Sequence, residues 1–295
     1  MTDLIGAVDG STCVTFPGGA VHGTATIRAV APLPQGWGVI CDRTPFHPVD
    51  HTWPDHPADR GTLALDGVRV PVVDCVMGAV EHGTDRLRLG EDIPVRRGAE
   101  GWDWLVVHVV AGDLSGLVPG GPAELFVDEE RRGGLSAGHT ACELVTLAIN
   151  DAFAESWRKP VRADVRGRPD FDGAALTVSR IHPYRSRDEY RLGKSLRKKG
   201  FVAEDLPARL PELTGRVNAL MMGWVGDDLP VWVDASGEEL TARRTWNCGL
   251  PDGTVTVPCG GTHVTSTGRL GTVTVSLELD AETSALTMDT SVSGR

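Results

Sequence analysis

A cysteine and a histidine stand four positions apart near the end of the chain, at Cys259 and His263. A second pair, His139 and Glu143, is also four positions apart, in a segment whose apolar residues recur at helical spacing. Because positions i and i+4 share one face of a helix, both side chains of this second pair can point the same way. His139, Cys259 and His263 are ligands of the kind and number that hold a catalytic zinc with one position open. These residues therefore predict a Zn2+ site.

Glu143 has two functional interpretations and one structural one. As a fourth ligand, it would complete a site of two histidines, one cysteine and one glutamate. As a general base, it would act on a zinc-bound water. As a surface residue near a helix N-terminus, it would contribute roughly a few tenths of a kcal/mol. Cys142, one turn from His139, could replace it as a ligand, although a buried thiol is favoured.

The elements that must position these residues fall into three stretches. Residues 1–97 show short β segments separated by Gly and Pro, which predicts a small barrel or sandwich. Residues 98–122 contain a strand at 102–110 and then a Gly/Pro-rich run, which predicts a junction or an insertion. Residues 123–295 should hold helices near 136–153, 206–222 and, in a basic stretch, 187–199, together with further strands and an irregular stretch at 243–252. Overall, the sequence predicts an α+β fold.

Bulk composition is that of a globular protein: 295 residues, 41% hydrophobic and 23% charged. The start of the sequence lacks signal-peptide features and no apolar run is long enough to span a membrane, so we expect a cytoplasmic protein with reduced cysteines. Its oligomeric state is left open between monomer and homodimer. His47, His51 and His56 do not have metal-site spacing, and His108, within an apolar run, favours a buried core histidine.

The net charge of −11 argues against a general nucleic-acid binder. Residues 158–199 differ from the rest, because thirteen Lys and Arg stand there against five Asp and Glu. Such asymmetry indicates one face that meets an anionic partner. The residues predicted to contact phosphates are Arg187, Arg191, Lys194, Arg197, Lys198 and Lys199.

The two pairs of ligands also carry a family resemblance. Gly138-His139-Thr140-Ala141-Cys142, followed by Pro258-Cys259-Gly260-Gly261-Thr262-His263-Val264, resembles the editing domain shared by alanyl-tRNA synthetases and the free-standing AlaX-type deacylases. In that family a His-x-x-x-His helix and the Cys-Gly-Gly-Thr-His turn form one zinc site. Asp42-Arg43-Thr44-Pro45-Phe46-His47-Pro48 and the approach at 125–132 also match, so the resemblance covers most of the chain.

Two departures from the family pattern bear on the site. The second helical histidine of the family is Glu143 here, which makes this residue a ligand by position. Between Pro48 and Pro57, the family's Gly-rich segment beside the editing pocket is replaced by Val49-Asp50-His51-Thr52-Trp53-Pro54-Asp55-His56. The first departure bears on the geometry of the metal, and the second on the amino acid that is accepted.

The resemblance implies a small N-terminal β-barrel domain followed by an α+β editing domain. It also implies a trans-acting aminoacyl-tRNA deacylase in translation quality control. Zn2+ would lie on His139, Glu143, Cys259 and His263, with His139, Glu143 and His263 catalytic. Thr140 and Thr262 adjoin ligands and are candidates for substrate binding. The substrate would be an alanine tRNA carrying serine or glycine, or a threonine tRNA carrying a threonine analogue such as fluorothreonine.

Two other functions are open from the residues. The altered ligand set could belong to a catalytically inactive tRNA-binding or regulatory module, which metal content would distinguish from an enzyme. Gly134-Leu135-Ser136-Ala137-Gly138 matches the nucleophile elbow of a serine hydrolase. That elbow requires a preceding strand, however, and the charged residues at 129–133 make a poor one. Ser136 is instead predicted near the N-cap of a helix that starts there.

Overall fold

The strands of the first 127 residues follow the alternation of apolar and polar side chains. They are seen in a computed structural model that describes residues 2–65, 67–280, 282 and 284–294. Their bounds are β1 (Thr2–Asp3), β2 (Ile5–Gly6), β3 (Cys13–Val14), β4 (His22–Leu33), β5 (Gly36–Cys41), β6 (Arg43–Thr44), β7 (Gly61–Leu65), β8 (Val68–Glu81), β9 (Arg86–Leu89), β10 (Trp102–Val110) and β11 (Pro122–Val127).

Most of these strands belong to one antiparallel sheet, in the order β1-β9-β8-β10-β5-β4-β11-β7, with β2 on β4. Strand β7 also pairs with β8, so six strands close into a ring of hydrogen-bonded neighbours. The ring includes β10 and β11 and therefore extends past residue 97. A small barrel confined to residues 1–97 stays a prediction.

The later part of the chain contains the helices. They are α1 (Glu129–Ala152), α2 (Phe171–Ala175), α3 (Lys194–Lys199) and α4 (Leu206–Gly226). The strands are β12 (Leu176–His182), β13 (Arg185–Arg191), β14 (Val231–Ala235), β15 (Arg244–Leu250), β16 (Gly253–Pro258), β17 (Val273–Asp280) and β18 (Ala285–Val292). They form two sheets, β12-β13-β18-β17 and β14-β15-β16. The apolar side of α1 packs into a core with α4 and these strands.

Helix α1 begins seven residues earlier than predicted. Asp128 starts it by accepting a hydrogen bond from the amide of Arg131 at 3.0 Å, as an N-cap residue does. Gly134 and Gly138, which flank the predicted start, both lie inside the helix. A Cβ on Gly138 would overlap the carbonyl oxygen of His182 in β12. These glycines therefore allow the helix to pack closely against the sheet. Ser136 is buried in the interior of the helix and is not near its N-cap.

Two other local predictions were wrong. Residues 187–191, predicted as part of a helix, belong to β13. In this strand Ser186, Asp188 and Tyr190 are buried, whereas Arg185, Arg187 and Arg191 are exposed. Residues 244–250, predicted as irregular, form β15, and their apolar side chains at 246, 248 and 250 are buried. In both cases an alternation of period two was present but weak, because charged or polar residues interrupt it.

The chain divides into two compact units. The first unit comprises the residues up to Arg132 together with Val233–Arg244 and Gly260–Thr262. The second unit comprises Gly133–Trp232, Thr245–Cys259 and the residues from His263 on. A sheet-rich first part and a second part with helices agree with the predicted α+β class. No helix among the described residues has the length and apolar character required to span a membrane.

Candidate metal centre

Helix α1 supplies two of the four possible ligands. His139 and Glu143 lie one turn apart on the same face, and the Nε2 atom of His139 is 3.6 Å from the Oε1 atom of Glu143. Next to them, Ala141, Leu144 and Val145 are fully buried in the core of the second unit. This apolar anchoring fixes the rotation of the helix and with it the direction of the two polar side chains.

The other two ligands follow strand β16. Pro258 ends that strand opposite Thr245 of β15, and Cys259 comes next in the chain. The Cys259 sulfur lies 3.3 Å from Nε2 of His263 and 3.5 Å from Nε2 of His139. The two imidazole rings are stacked with their centroids 4.2 Å apart. The fold thus brings together the two pairs of residues that the sequence singled out.

The four ligand atoms lie within 4.8 Å of one another. In a tetrahedral zinc site with Zn–N, Zn–O and Zn–S bonds of about 2.0 to 2.3 Å, neighbouring ligand atoms are about 3.3 to 3.8 Å apart. Three of the separations, 3.3, 3.5 and 3.6 Å, are in that range. His139, Glu143, Cys259 and His263 could therefore hold a metal ion, and their donor set fits zinc.

The electrostatics of the site also favour a cation. Burial alone lowers the pKa of His139, but the thiol of Cys259 and the carboxylate of Glu143 outweigh it and raise that pKa to about 10. A histidine rarely keeps a proton so firmly unless its surroundings are electronegative. The same anionic surroundings would stabilise a divalent metal.

Thr140 orients one of the ligands. Its hydroxyl oxygen accepts a hydrogen bond from the amide of Val264 at 3.1 Å and lies 3.2 Å from Nδ1 of His263. When Nδ1 carries the proton and donates to Thr140, Nε2 keeps its lone pair and faces Cys259. Thr140 is fully buried. Its predicted role in substrate binding stays a prediction, and the contact seen here is with a ligand.

Cys142, the alternative ligand, lies outside the group of four. Its thiol is 3.7 Å from a carboxylate oxygen of Asp188, which also accepts a hydrogen bond from Ser179 at 2.6 Å. Burial, followed by the charge of Asp188, raises the pKa of this thiol well above its ordinary value. A buried thiol, as favoured from the sequence, is what the structure has at Cys142.

The histidines of the first unit have other contacts. His56 donates from Nδ1 to the carbonyl of Pro57 at 2.9 Å, and its Nε2 lies 3.3 Å from the hydroxyl of Thr262. Thr262, the second residue predicted to bind substrate, is buried. His108 is fully buried between Val39 and Thr44, and burial lowers its pKa to about 4. It is the core histidine that its apolar surroundings indicated.

The six predicted tRNA-binding residues are all exposed and lie on β13 and α3. Arg187 pairs with Asp289 at 2.9 Å and with Glu189 at 3.6 Å. Within the described part of the chain, the other five (Arg191, Lys194, Arg197, Lys198 and Lys199) make no ion pair. Their charges are therefore available to a partner, whereas that of Arg187 is largely neutralised.

The structure does not support a nucleophile elbow at Ser136. The residues before it, from Glu129 on, are helical, so no strand leads into a sharp turn there. Ser136 itself is a buried residue of the helix interior. The geometry that would expose its hydroxyl to a substrate is missing from this segment.

Sequence reasoning missed Trp246, which lies next to His263, and Asp188, which lies next to Cys142. Trp246 lies in β15 with its ring centroid 5.8 Å from that of His263, and it is fully buried. Asp188 receives hydrogen bonds beneath Cys142. The alternation of Trp246, Cys248 and Leu250 could have revealed the strand, but no pattern in the sequence pointed to Asp188.

Comparison with known proteins finds similarity to alanine–tRNA ligases. The chain is 26% identical to the enzyme of Caldivirga maquilingensis over 263 residues, which are 87% of the chain and 24% of the ligase. It is 27% identical to that of a Nocardioides species over 248 residues, 80% of the chain and 21% of the ligase. For Ruegeria pomeroyi the identity is 28% over 194 residues, 63% of the chain and 20% of the ligase.

The chain thus spans about a quarter or less of the length of these curated relatives. No family model matches it. The similarity covers most of the chain and agrees with the editing-domain resemblance drawn from its motifs.

Proposed function

We propose that this chain is a zinc-dependent aminoacyl-tRNA deacylase. It would hydrolyse the ester between a wrongly attached amino acid and the terminal ribose of a tRNA. The observation that carries the proposal is the convergence of His139, Glu143, Cys259 and His263 within 4.8 Å. Similarity to alanine–tRNA ligases over most of the chain supports the same assignment.

Zinc would be held by Nε2 of both histidines, the sulfur of Cys259 and the carboxylate of Glu143. When bound, the metal would supply Lewis acidity for hydrolysis of the ester. The protein contributes orientation. With its proton on Nδ1 and donated to Thr140, His263 would keep the lone pair of Nε2 directed at the cluster. The stacking of the two imidazole rings limits the rotation of each.

Glu143 is proposed as a ligand rather than as a general base. A carboxylate oxygen of Glu143 lies within 4.8 Å of each of the other three ligand atoms, and Oε1 is 3.6 Å from Nε2 of His139. A carboxylate in place of a neutral imidazole adds a second negative ligand to the thiolate of Cys259. The charge of a bound divalent ion would then be largely balanced, which weakens its pull on a carbonyl.

Binding of the nucleic acid is assigned to the exposed basic side chains of β13 and α3. Five of them make no ion pair with a described residue, so they can neutralise phosphates without first losing an acidic partner. Lys194, Lys198 and Lys199 are grouped on the short helix α3.

The more specific form of the proposal concerns the amino acid. Glu143 and the segment 49–56 both differ from the editing-domain pattern, and we propose that the pocket is specialised for a threonine analogue such as fluorothreonine on threonine tRNA. Serine or glycine on alanine tRNA is the alternative. A hydrophobic pocket discriminates poorly between amino acids of nearly the same shape. A second, hydrolytic step is therefore needed to remove the wrong one.

The experiment is release of amino acid from a panel of charged tRNAs by the zinc-loaded chain. The panel covers alanine and threonine tRNAs with cognate, mischarged and analogue amino acids. We expect hydrolysis of one class, its loss in His263→Ala, and unchanged activity in Ser136→Ala as the matched control for the hydrolase alternative. Failure to release any of them, with tRNA binding retained, would replace the enzyme with a binding module.

A further inference from the structure

Two arginine side chains of the first unit converge on one backbone oxygen. Arg97 donates from Nη2 to the carbonyl of Leu240 at 2.8 Å, and Arg244 donates from Nη1 to the same oxygen at 2.9 Å. Two like charges beside one oxygen repel each other, and burial together with the charge of Arg97 lowers the pKa of Arg244 to about 10. Such an arrangement costs free energy in the absence of a negative partner.

The acidic residues nearby do not balance the pair. Asp50 forms an ion pair with Arg97 at 3.0 Å, with its carboxylate also 3.9 Å from His51. Arg244, only 5% exposed, has no acidic partner among the described residues. Its contacts are the carbonyls of Leu240 and Glu239 and the ring of Phe16, 5.3 Å away. The positive charge of the buried Arg244 side chain is therefore not balanced by a described acidic residue.

Hydrogen-bond donors are also left over. The buried Nε atoms of Arg97 and Arg244 have no acceptor among the described residues. Gly260 lies against Arg97, since a Cβ on this glycine would be 3.8 Å from Nη1. The backbone amides of Gly260 and Gly261 donate to no other residue in the described part of the chain.

We propose that Arg97, Arg244 and the amides of Gly260 and Gly261 form an anion site that takes a phosphate group. The forked donors of arginine fit phosphate oxygens, and consecutive amides in a glycine-rich turn form a concave set of donors for anions. Gly260 directly follows Cys259 in the chain.

The source of the phosphate rests on the proposed function: in a deacylase it is a phosphodiester near the 3′ end of the tRNA. The charged residues of β13 and α3 are a separate set of side chains, so the two contributions can be measured independently. Arg97 is the residue to change, because its side chain is 32% exposed and its loss does not empty a core position. Arg96, its exposed neighbour, is the matched control.

The first test uses inorganic phosphate and the full chain, without any reaction. In a 15N–1H correlation spectrum, the Gly260 and Gly261 amide signals should shift as phosphate is added to the wild type and to Arg96→Ala. They should not shift in Arg97→Ala, and Arg97→Lys, which keeps the charge, should give a weakened response. Unchanged glycine signals in the folded wild type at saturating phosphate would overturn the site.

The second test identifies the occupant. Binding of uncharged tRNA, followed by fluorescence anisotropy, should weaken about tenfold in Arg97→Ala, and the slope of log affinity against log salt should fall by about one. Equal affinities for Arg97→Ala and Arg96→Ala would remove tRNA as the source of the phosphate. Failure of the proposed function would appear separately, as absence of deacylation in the wild type while the glycine signals still respond to phosphate.

Discussion

Replacing Thr140 with valine removes one hydroxyl and keeps the shape of the side chain. That hydroxyl accepts from the amide of Val264 at 3.1 Å and lies 3.2 Å from Nδ1 of His263. Thr140 is fully buried, so water cannot substitute for it. A buried polar group left without a partner costs about 1 to 3 kcal/mol, which gives the expected loss of folding stability.

The larger effect of Thr140→Val should be on the metal. Without the Thr140 oxygen near Nδ1, the proton of the His263 ring can move to Nε2, the nitrogen that faces Cys259. Removal of such an orienting partner lowers metal affinity about 10- to 100-fold. This corresponds to about 1.4 to 2.8 kcal/mol of binding free energy.

Zinc affinity of Thr140→Val can be measured by competition with a chromophoric chelator, alongside urea unfolding. Thr140→Ser keeps the hydroxyl and should remain within a few-fold of the wild type. Thr146→Val, on the same helix and without a ligand contact, controls for helix propensity. An affinity for Thr140→Val equal to that of the wild type, in a folded protein, would refute the orienting role.

The remaining predictions concern metal content, pH and charge. Purified wild type should contain one zinc per chain, and Cys259→Ala should lose it, as measured by plasma mass spectrometry. Burial raises the pKa of Asp172 to about 7, so the folded state binds this proton more tightly and stability should fall as pH rises from about 4 to 7. The Tyr190 hydroxyl donates to Asp172 at 3.0 Å, and Asp172→Asn keeps an acceptor for it. This variant should flatten the pH dependence and be more stable at pH 8 by at most ~4 kcal/mol in urea unfolding. Replacing Lys198 with alanine should lower the salt dependence of tRNA binding more than Arg187→Ala does, because Arg187 is already paired; equal slopes would count against the assignment of α3.

The sequence was sufficient to predict the four residues that come together but not all of their surroundings. His139 and Glu143 share a helix face, and Cys259 and His263 share a turn, so each pair follows from local geometry. The two pairs come together only because the core of the fold packs them side by side, and local spacing does not encode that core. Their proximity was expected from the family resemblance. Thr140 adjoined a ligand in sequence, yet its contact with His263 depends on the path of the chain at Val264.

The wrong local predictions share one physical cause. Gly134 and Gly138 lower helix propensity, and α1 was predicted to begin between them, near Ser136. In the fold they are needed where α1 approaches the sheet, and packing outweighs propensity. Packing also outweighs the local pattern in β13. Asp188 is buried there, at a position where the alternation of a strand predicts an apolar residue.

The central claim is that the four-ligand centre hydrolyses aminoacyl-tRNA, and stepwise metal reconstitution tests it most directly. Metal-free chain would receive increasing equivalents of zinc while amino acid release from the preferred charged tRNA is measured. Release should be negligible at the start, rise in proportion to zinc and level off at one equivalent per chain, with no rise in His263→Ala. Full release by rigorously metal-free protein would contradict the account.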